Sequence, residues 1–152
     1  MDDRSLQQAA RADIVVMAAA PADFTVPHAA AHKVKKDGSD GLELSLVQTT
    51  DVLASLGRHR QPGQTIVGFA AETAGSRDEL VALGRAKLAR KGADLLVCND
   101  VSGGRVFGAA DNTVVIVDRD GIVAEPSGTK DIVGDHICTA LLAARAGSAA
   151  PA

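Results

Sequence analysis

The sequence predicts an α/β domain: a three-layer, Rossmann-like arrangement with a mainly parallel sheet, helices on both faces and a C-terminal hairpin. Three observations predict it. The runs DIVVMA at 13–18, TIVGFA at 65–70 and DLLVCN at 94–99 are short and mostly β-branched or aliphatic, and they do not alternate with polar residues. Such runs suit strands buried on both faces. A capped helical stretch separates the second run from the third, and strand, helix, strand is by default a right-handed parallel unit. Finally, 152 residues at 46% apolar content are enough for one real core and too few to suggest two.

In order along the chain, SLQQAARA reads as the end of a helix leading into the first buried run. Residues 25–48 carry too many breakers and charges for a core element until LELSLVQ, which alternates as a half-exposed strand does. Thr50 is placed to cap a short helix, DVLASLGRH, which ends before the Pro62-Gly63 turn. Ser76 and Glu79 form a capping-box signature for SRDELVALGRAKLARKG, with Leu80, Leu83 and Leu88 on its apolar face and Gly92 as its stop. NTVVIVDRDGIVAEP gives two strands around Asp120-Gly121, and a last helix runs from Lys130 to about Arg145. The expected organisation is one domain over residues 1–146, with a disordered tail at 147–152.

Composition removes several function classes. A net charge of -3 and three aromatic residues, Phe24, Phe69 and Phe107, give neither the positive field nor the stacking platforms that nucleic acid needs. No apolar run reaches the roughly 20 residues of a membrane span. Cys98 and Cys138 lie far apart without a CxxC, which fits reduced thiols and a cytoplasmic location. Neither GxGxxG nor GxxxxGK[ST] is present, and there is no G-x-S-x-G elbow. His28 and His32 stand four apart, but Pro27 and the loop around them argue against a helical metal pair.

Ligands of open α/β sheets bind at the carboxyl ends of the strands. There the sequence reads MAAAPAD, GFAAET and CNDVSGG, each passing from an apolar run through small residues to a polar one. Small residues allow a ligand close to the backbone, although each turn taken alone could simply pack tightly. Asp23, beside the rigid Pro21, suits a Mg2+ ion, a ribose hydroxyl or a plain turn cap. Lys33, Lys35 and Lys36 offer ammonium groups to phosphate, or make a solvated loop. Lys87 and Lys91 share a helix face, either toward phosphate or toward solvent.

Taken together, AAAPADF, KVKK, TTDVL, GFAAET, KLARKGADLLVCNDVS and FGAADNTVVIV resemble phosphopantothenate-cysteine ligase, the synthetase half of the bifunctional bacterial coenzyme A biosynthesis proteins. Order and spacing agree over about residues 10 to 145, with Pro21 standing where that family commonly has Val. The resemblance implies that CTP and Mg2+ are used, with 4'-phosphopantothenate and L-cysteine as substrates and no flavin in this segment. It further implies a homodimer and a decarboxylase half in a longer chain; the alternating strand near Leu42 to Val47, an otherwise unpaired edge, is a candidate dimer contact. By position it implies a nucleotide site from the backbone of Met17, Ala18 and Ala19, then Asp23 (also the metal candidate) and Lys33. Thr50, Asp51, Val52, Leu53, Phe69, Lys87 and Lys91 complete it. Lys33 is the residue expected to stabilise acyl-cytidylate formation. Asn99 and Asp100 match the family's ND step with no role assigned. The family's first strand and glycine-rich loop have no counterpart before Met1, so a weakly active or inactive catalytic portion is expected. The alternative is a non-catalytic nucleotide-binding or dimerisation module completed by another polypeptide, and a degenerate oxidoreductase domain is a third option.

Overall fold

The buried runs become the centre of a six-stranded sheet in the computed structural model, which describes residues 2–35, 41–102 and 111–148. Helix α1 (Asp2–Ala9) leads into strand β1 (Ile14–Met17). The chain then forms β2 (Phe24–Thr25) and β3 (Val47–Gln48), which pair with each other as a two-stranded sheet, and enters α2 (Val52–Arg58). Next come β4 (Thr65–Glu72), α3 (Arg77–Lys91) and β5 (Leu95–Asp100). The chain closes with β6 (Asp111–Val117), β7 (Ile122–Ala124), β8 (Ser127–Thr129) and α4 (Lys130–Ser148).

The sheet order is β1-β4-β5-β6-β7, with β8 also on β6. β1, β4 and β5 run parallel, in register from Ile14↔Thr65 to Met17↔Gly68 and from Val67↔Leu95 to Glu72↔Asp100. The added strands β6, β7 and β8 pair antiparallel. The expected hairpin lies here, and its turn is closed by the Asp118 carboxylate accepting from the Asp120 and Gly121 amides at 2.8 and 2.9 Å.

Because side chains alternate across a strand, each central strand feeds two cores. Ile66, Ala70, Leu96, Cys98, Val115 and Val117 pack on one face against α2 and α3, with Ala9 of α1. Val67, Leu95, Val97, Val114 and Ile116 pack on the other against Val133, Ala140 and Leu141 of α4. Helices therefore cover both faces, as expected.

Several local expectations need correction. The cap of α2 is Asp51 rather than Thr50: its carboxylate accepts from the Ala54 amide at 3.0 Å, three residues on, where a capping oxygen must reach. In α3 the buried line is Leu80, Gly84 and Leu88, whereas Leu83 is exposed. Gly84 is buried because a Cβ there would stand 2.5 Å from the Cys98 sulfur, so the helix sits directly on β5. Ser76 does cap α3, and Gly92 ends it with φ 67°. LELSLVQ yields strand only at Val47–Gln48; Leu42, Leu44 and Leu46 alternate in sequence yet stay exposed, with no strand beside them among the described residues. Helix α4 continues through Ser148, into the stretch expected as tail. Lys36 and Phe107 lie outside the described residues.

Candidate functional site

The carboxyl ends of β1, β4 and β5 share one edge of the sheet. Residues 18–23 leave β1 there and are tied down at once. The Thr49 amide donates to the Asp23 carbonyl at 2.8 Å, and the Thr49 hydroxyl donates to the Ala22 carbonyl at 2.6 Å. Together with the β2-β3 pair, these bonds bring Asp23 beside the turn that opens α2, although 27 residues separate Thr49 from Ala22 in sequence.

That turn is where charge converges. One oxygen of Asp51 caps α2, and the other accepts a hydrogen bond from the Lys91 ammonium, which reaches over from α3. Partial burial pushes the Asp51 carboxyl upward. The Lys91 hydrogen bond, the Ala54 amide and the charges of Lys91 and Arg90 outweigh that and hold it below the ordinary value. One helical turn earlier, Lys87 pairs with Glu72 at the end of β4, nitrogen to oxygen 2.5 Å. The Glu72 Oε1 atom has no exposed surface and accepts no well-directed hydrogen bond, so the Lys87 ammonium offsets it as an ion pair. Two acids and two lysines thus pair where α2, α3 and the end of β4 come together.

Cys98 lies beneath this pair. Burial first, and the nearby Glu72 charge second, push its thiol up to about 11, with Lys87 opposing. Both cysteines are free, Cys98 buried and Cys138 exposed on α4. A disulfide-exchange reagent at pH 8 is therefore expected to label Cys138 rapidly and Cys98 only on unfolding; rapid loss of two thiols from the native protein would refute the burial. The folded-state pKa of Cys98 is raised from 9.0, so its contribution to stability is complete below pH 9 and lost as pH rises toward 11. In a Cys138→Ser variant, denaturant midpoints should fall through that alkaline window.

The structure gathers some of the expected site residues and not others. Asp23, Thr50, Asp51, Lys87 and Lys91 fall along the α2 side of the edge. Met17 is half-buried against the same core, and Ala18 and Ala19 follow it exposed. Val52 and Leu53 are core residues at 4% and 8% exposure, so their side chains seat α2 on the sheet and do not line a ligand. Leu53 packs onto Gly68, where any Cβ would collide with it. The Phe69 ring faces the opposite side, among the α4 core residues, so it does not share a wall with Lys87 and Lys91. Lys33 lies on the exposed arm between β2 and β3 and forms no hydrogen bond or ion pair among the described residues. Sequence reasoning assigned nothing to Glu72; its signal is a lone charge closing an apolar strand.

On the β6 side of α3, a cavity of about 520 Å3 opens at the same edge, lined by Ser76, Arg77, Leu80, Asp100, Asp111 and Thr113. Arg77 grips Glu125 through two bonds of 2.6 Å, holding the start of α3 to the returning hairpin. Among the described residues no group of three His, Cys, Asp or Glu side chains could hold a metal, and no helix is long and apolar enough to cross a membrane.

Known proteins share both sequence and fold with this chain. The bifunctional coenzyme A biosynthesis protein CoaBC of Mycolicibacterium smegmatis is 40% identical over 147 residues, covering 93% of this chain and 36% of that protein. The chain thus spans about a third of the length of the curated relatives it matches. The crystal structure of the C-terminal domain of a CoaBC superposes with a TM-score of 0.62 at 25% identity, covering 90% of this chain and 57% of that one. A structure of Cab2 mutant H337A in complex with phosphopantothenate-cysteine gives 0.66 at 21% identity, over 89% of this chain and 44% of that one, a likeness of fold. The profile of the DNA/pantothenate metabolism flavoprotein C-terminal domain matches residues 1–144, nearly the whole length, and the chain belongs to that family.

Proposed function

We propose that this chain is the nucleotide-handling part of a phosphopantothenate-cysteine ligase that uses CTP. The observation that carries the reading is the convergence of Lys87 and Lys91 at the carboxyl edge of the sheet. There segments 22–23 and 49–51 are stitched together beside the exposed small residues that follow β1.

In the proposed chemistry a carboxylate oxygen of 4'-phosphopantothenate attacks the α-phosphorus of CTP. The bond to the bridging oxygen of the β-phosphate breaks, pyrophosphate leaves, and an acyl-cytidylate forms. The amine of L-cysteine then attacks the acyl carbon, loses a proton and displaces CMP, giving the amide. Phosphopantothenate-cysteine, the compound named in one structural neighbour's complex, is the amide this sequence of steps would form. Lys87 and Lys91 would hold the polyphosphate, and Lys33, swung in on its arm, would balance charge at the α-phosphate. The backbone of Met17, Ala18 and Ala19 and the Thr50 turn would approach the nucleoside.

The donor set among the described residues fits a Mg2+ carried by the triphosphate and touched by one or two carboxylates, Asp23 being the candidate, better than a protein-built cage. Bound there, the ion would supply charge neutralisation.

The chain would act in the cytoplasm beside a decarboxylase half. It would form a homodimer through the arm that exposes Leu42, Leu44, Leu46 and Val47, so light scattering should give twice the chain mass. Calorimetric titration with CTP, ATP and NADH tests the nucleotide assignment. A clear preference for CTP is expected, and equal binding of ATP, or preferential binding of NADH, defeats it. Formation of the amide by the chain alone separates a complete catalyst from a binding module completed elsewhere.

A further inference from the structure

The two lysines are held by carboxylates of unlike accessibility, and the difference has a chemical meaning. Asp51 is 44% exposed at its side chain, so water can solvate whichever oxygen Lys91 gives up. Its other oxygen stays on the Ala54 amide and keeps α2 capped. Glu72 is 18% exposed, and its Oε1 is sealed against Lys87. Removing that ammonium would leave a carboxylate oxygen out of water without a partner, a costly state. An ammonium has three N–H donors, so Lys87 can stay ion-paired with Glu72 and offer N–H groups outward.

We propose that Asp51 holds Lys91 as a placeholder, which an incoming polyphosphate displaces, while Glu72 stays on Lys87 and fixes its direction. Carboxylate and phosphate oxygens present the same acceptor to an ammonium, and a triphosphate brings more negative charge than one aspartate. The exchange therefore runs toward the ligand while the vacated carboxylate turns to solvent. A bound polyphosphate competes with the Asp51 carboxylate for Lys91, so the resting protein binds it more weakly than its lysines alone would allow. The inference rests on the reading of Lys87 and Lys91 as polyphosphate ligands.

Asp51→Asn is the decisive substitution, because asparagine caps a helix as well as aspartate and is nearly isosteric, yet carries no competing charge. Inorganic tripolyphosphate and CTP are titrated calorimetrically into both full-length proteins at low salt. The variant is expected to bind tripolyphosphate about fivefold more tightly, a modest gain because Asp51 is partly screened by solvent. In a Lys91→Met background the same substitution should bring no gain.

Equal or weaker binding by Asp51→Asn overturns the proposal, as does an undiminished gain in the Lys91→Met background, which would reflect net charge alone. Absence of tripolyphosphate binding to either protein overturns it too. The nucleotide assignment fails separately: if the variant tightens on tripolyphosphate while CTP binds no better than ATP, the placeholder stands and the ligase reading falls. Selective CTP binding without tightening gives the reverse.

Discussion

Replacing Gly57 with alanine is expected to lower the melting temperature by roughly 5–10 °C, the opposite of the ordinary effect in a helix. On an open helix surface the change would stabilise by about 1 kcal/mol. Here the new Cβ would overlap the Lys91 carbonyl oxygen and stand 3.1 Å from the Lys91 carbonyl carbon and 3.2 Å from the Gly92 Cα. All three are backbone atoms at the end of α3, where Gly92 already closes the helix in the left-handed conformation. Side chains can rotate away from an intruder, whereas this turn cannot, so α2 must lift off α3. Overpacking typically costs about 1–3 kcal/mol, and a clash with unyielding backbone belongs at the upper end, while each kcal/mol lowers the melting point of a domain this size by about 2–4 °C. Thermal unfolding followed by circular dichroism reads the shift. The same displacement draws Asp51 away from Lys91, so the response of polyphosphate binding to Asp51→Asn should shrink in the Gly57→Ala background. A rise in melting temperature would mean that the two helices do not touch at this point.

Removing the Lys87 side chain is expected to damage folding and ligand binding together, and the two can be separated. Lys87→Ala leaves the sealed Glu72 oxygen without a partner, which costs on the order of 1–3 kcal/mol after allowance for the partial exposure of both side chains. It also removes one of two converging cations, for an expected loss of about tenfold or more in CTP affinity. Adding Glu72→Gln should restore most of the stability, because a neutral amide tolerates the site, without restoring binding. Urea unfolding and calorimetry on the single and double variants read the two effects. Recovery of both by the double variant would sink the ligand role of Lys87, and recovery of neither would show that Glu72 is not the partner that matters.

Much of this architecture was legible because its signals are local. Doubly buried strands announce themselves as unbroken apolar runs, and Ser76 with Gly92 brackets α3 at both ends. The pairing of Lys87 and Lys91 on one face follows from helix geometry alone. What escaped depends on contacts far along the chain. Asp51 takes the cap from Thr50 by a one-residue difference in where the backbone turns, and its second partner lies 40 residues away. Gly84 carries no hydropathic signal, since its burial comes from what it lacks. Leu42, Leu44 and Leu46 carry a strand's alternation, but alternation makes a strand only where a neighbour supplies the hydrogen bonds. The side chain of Phe69 follows the parity of β4, which the ligand motif does not reveal: odd positions face α4 and even positions face α2 and α3.

The short β2-β3 pair, with the Thr49 bonds at its foot, ties together the two ends of the chain between Thr25 and Val47 like the neck of a purse. Whatever lengthening or shortening evolution tries beyond that neck changes the closure entropy only logarithmically. The ion pairs of Asp51 with Lys91 and of Glu72 with Lys87 use no residue beyond that neck, so changes of length there leave these charges in place.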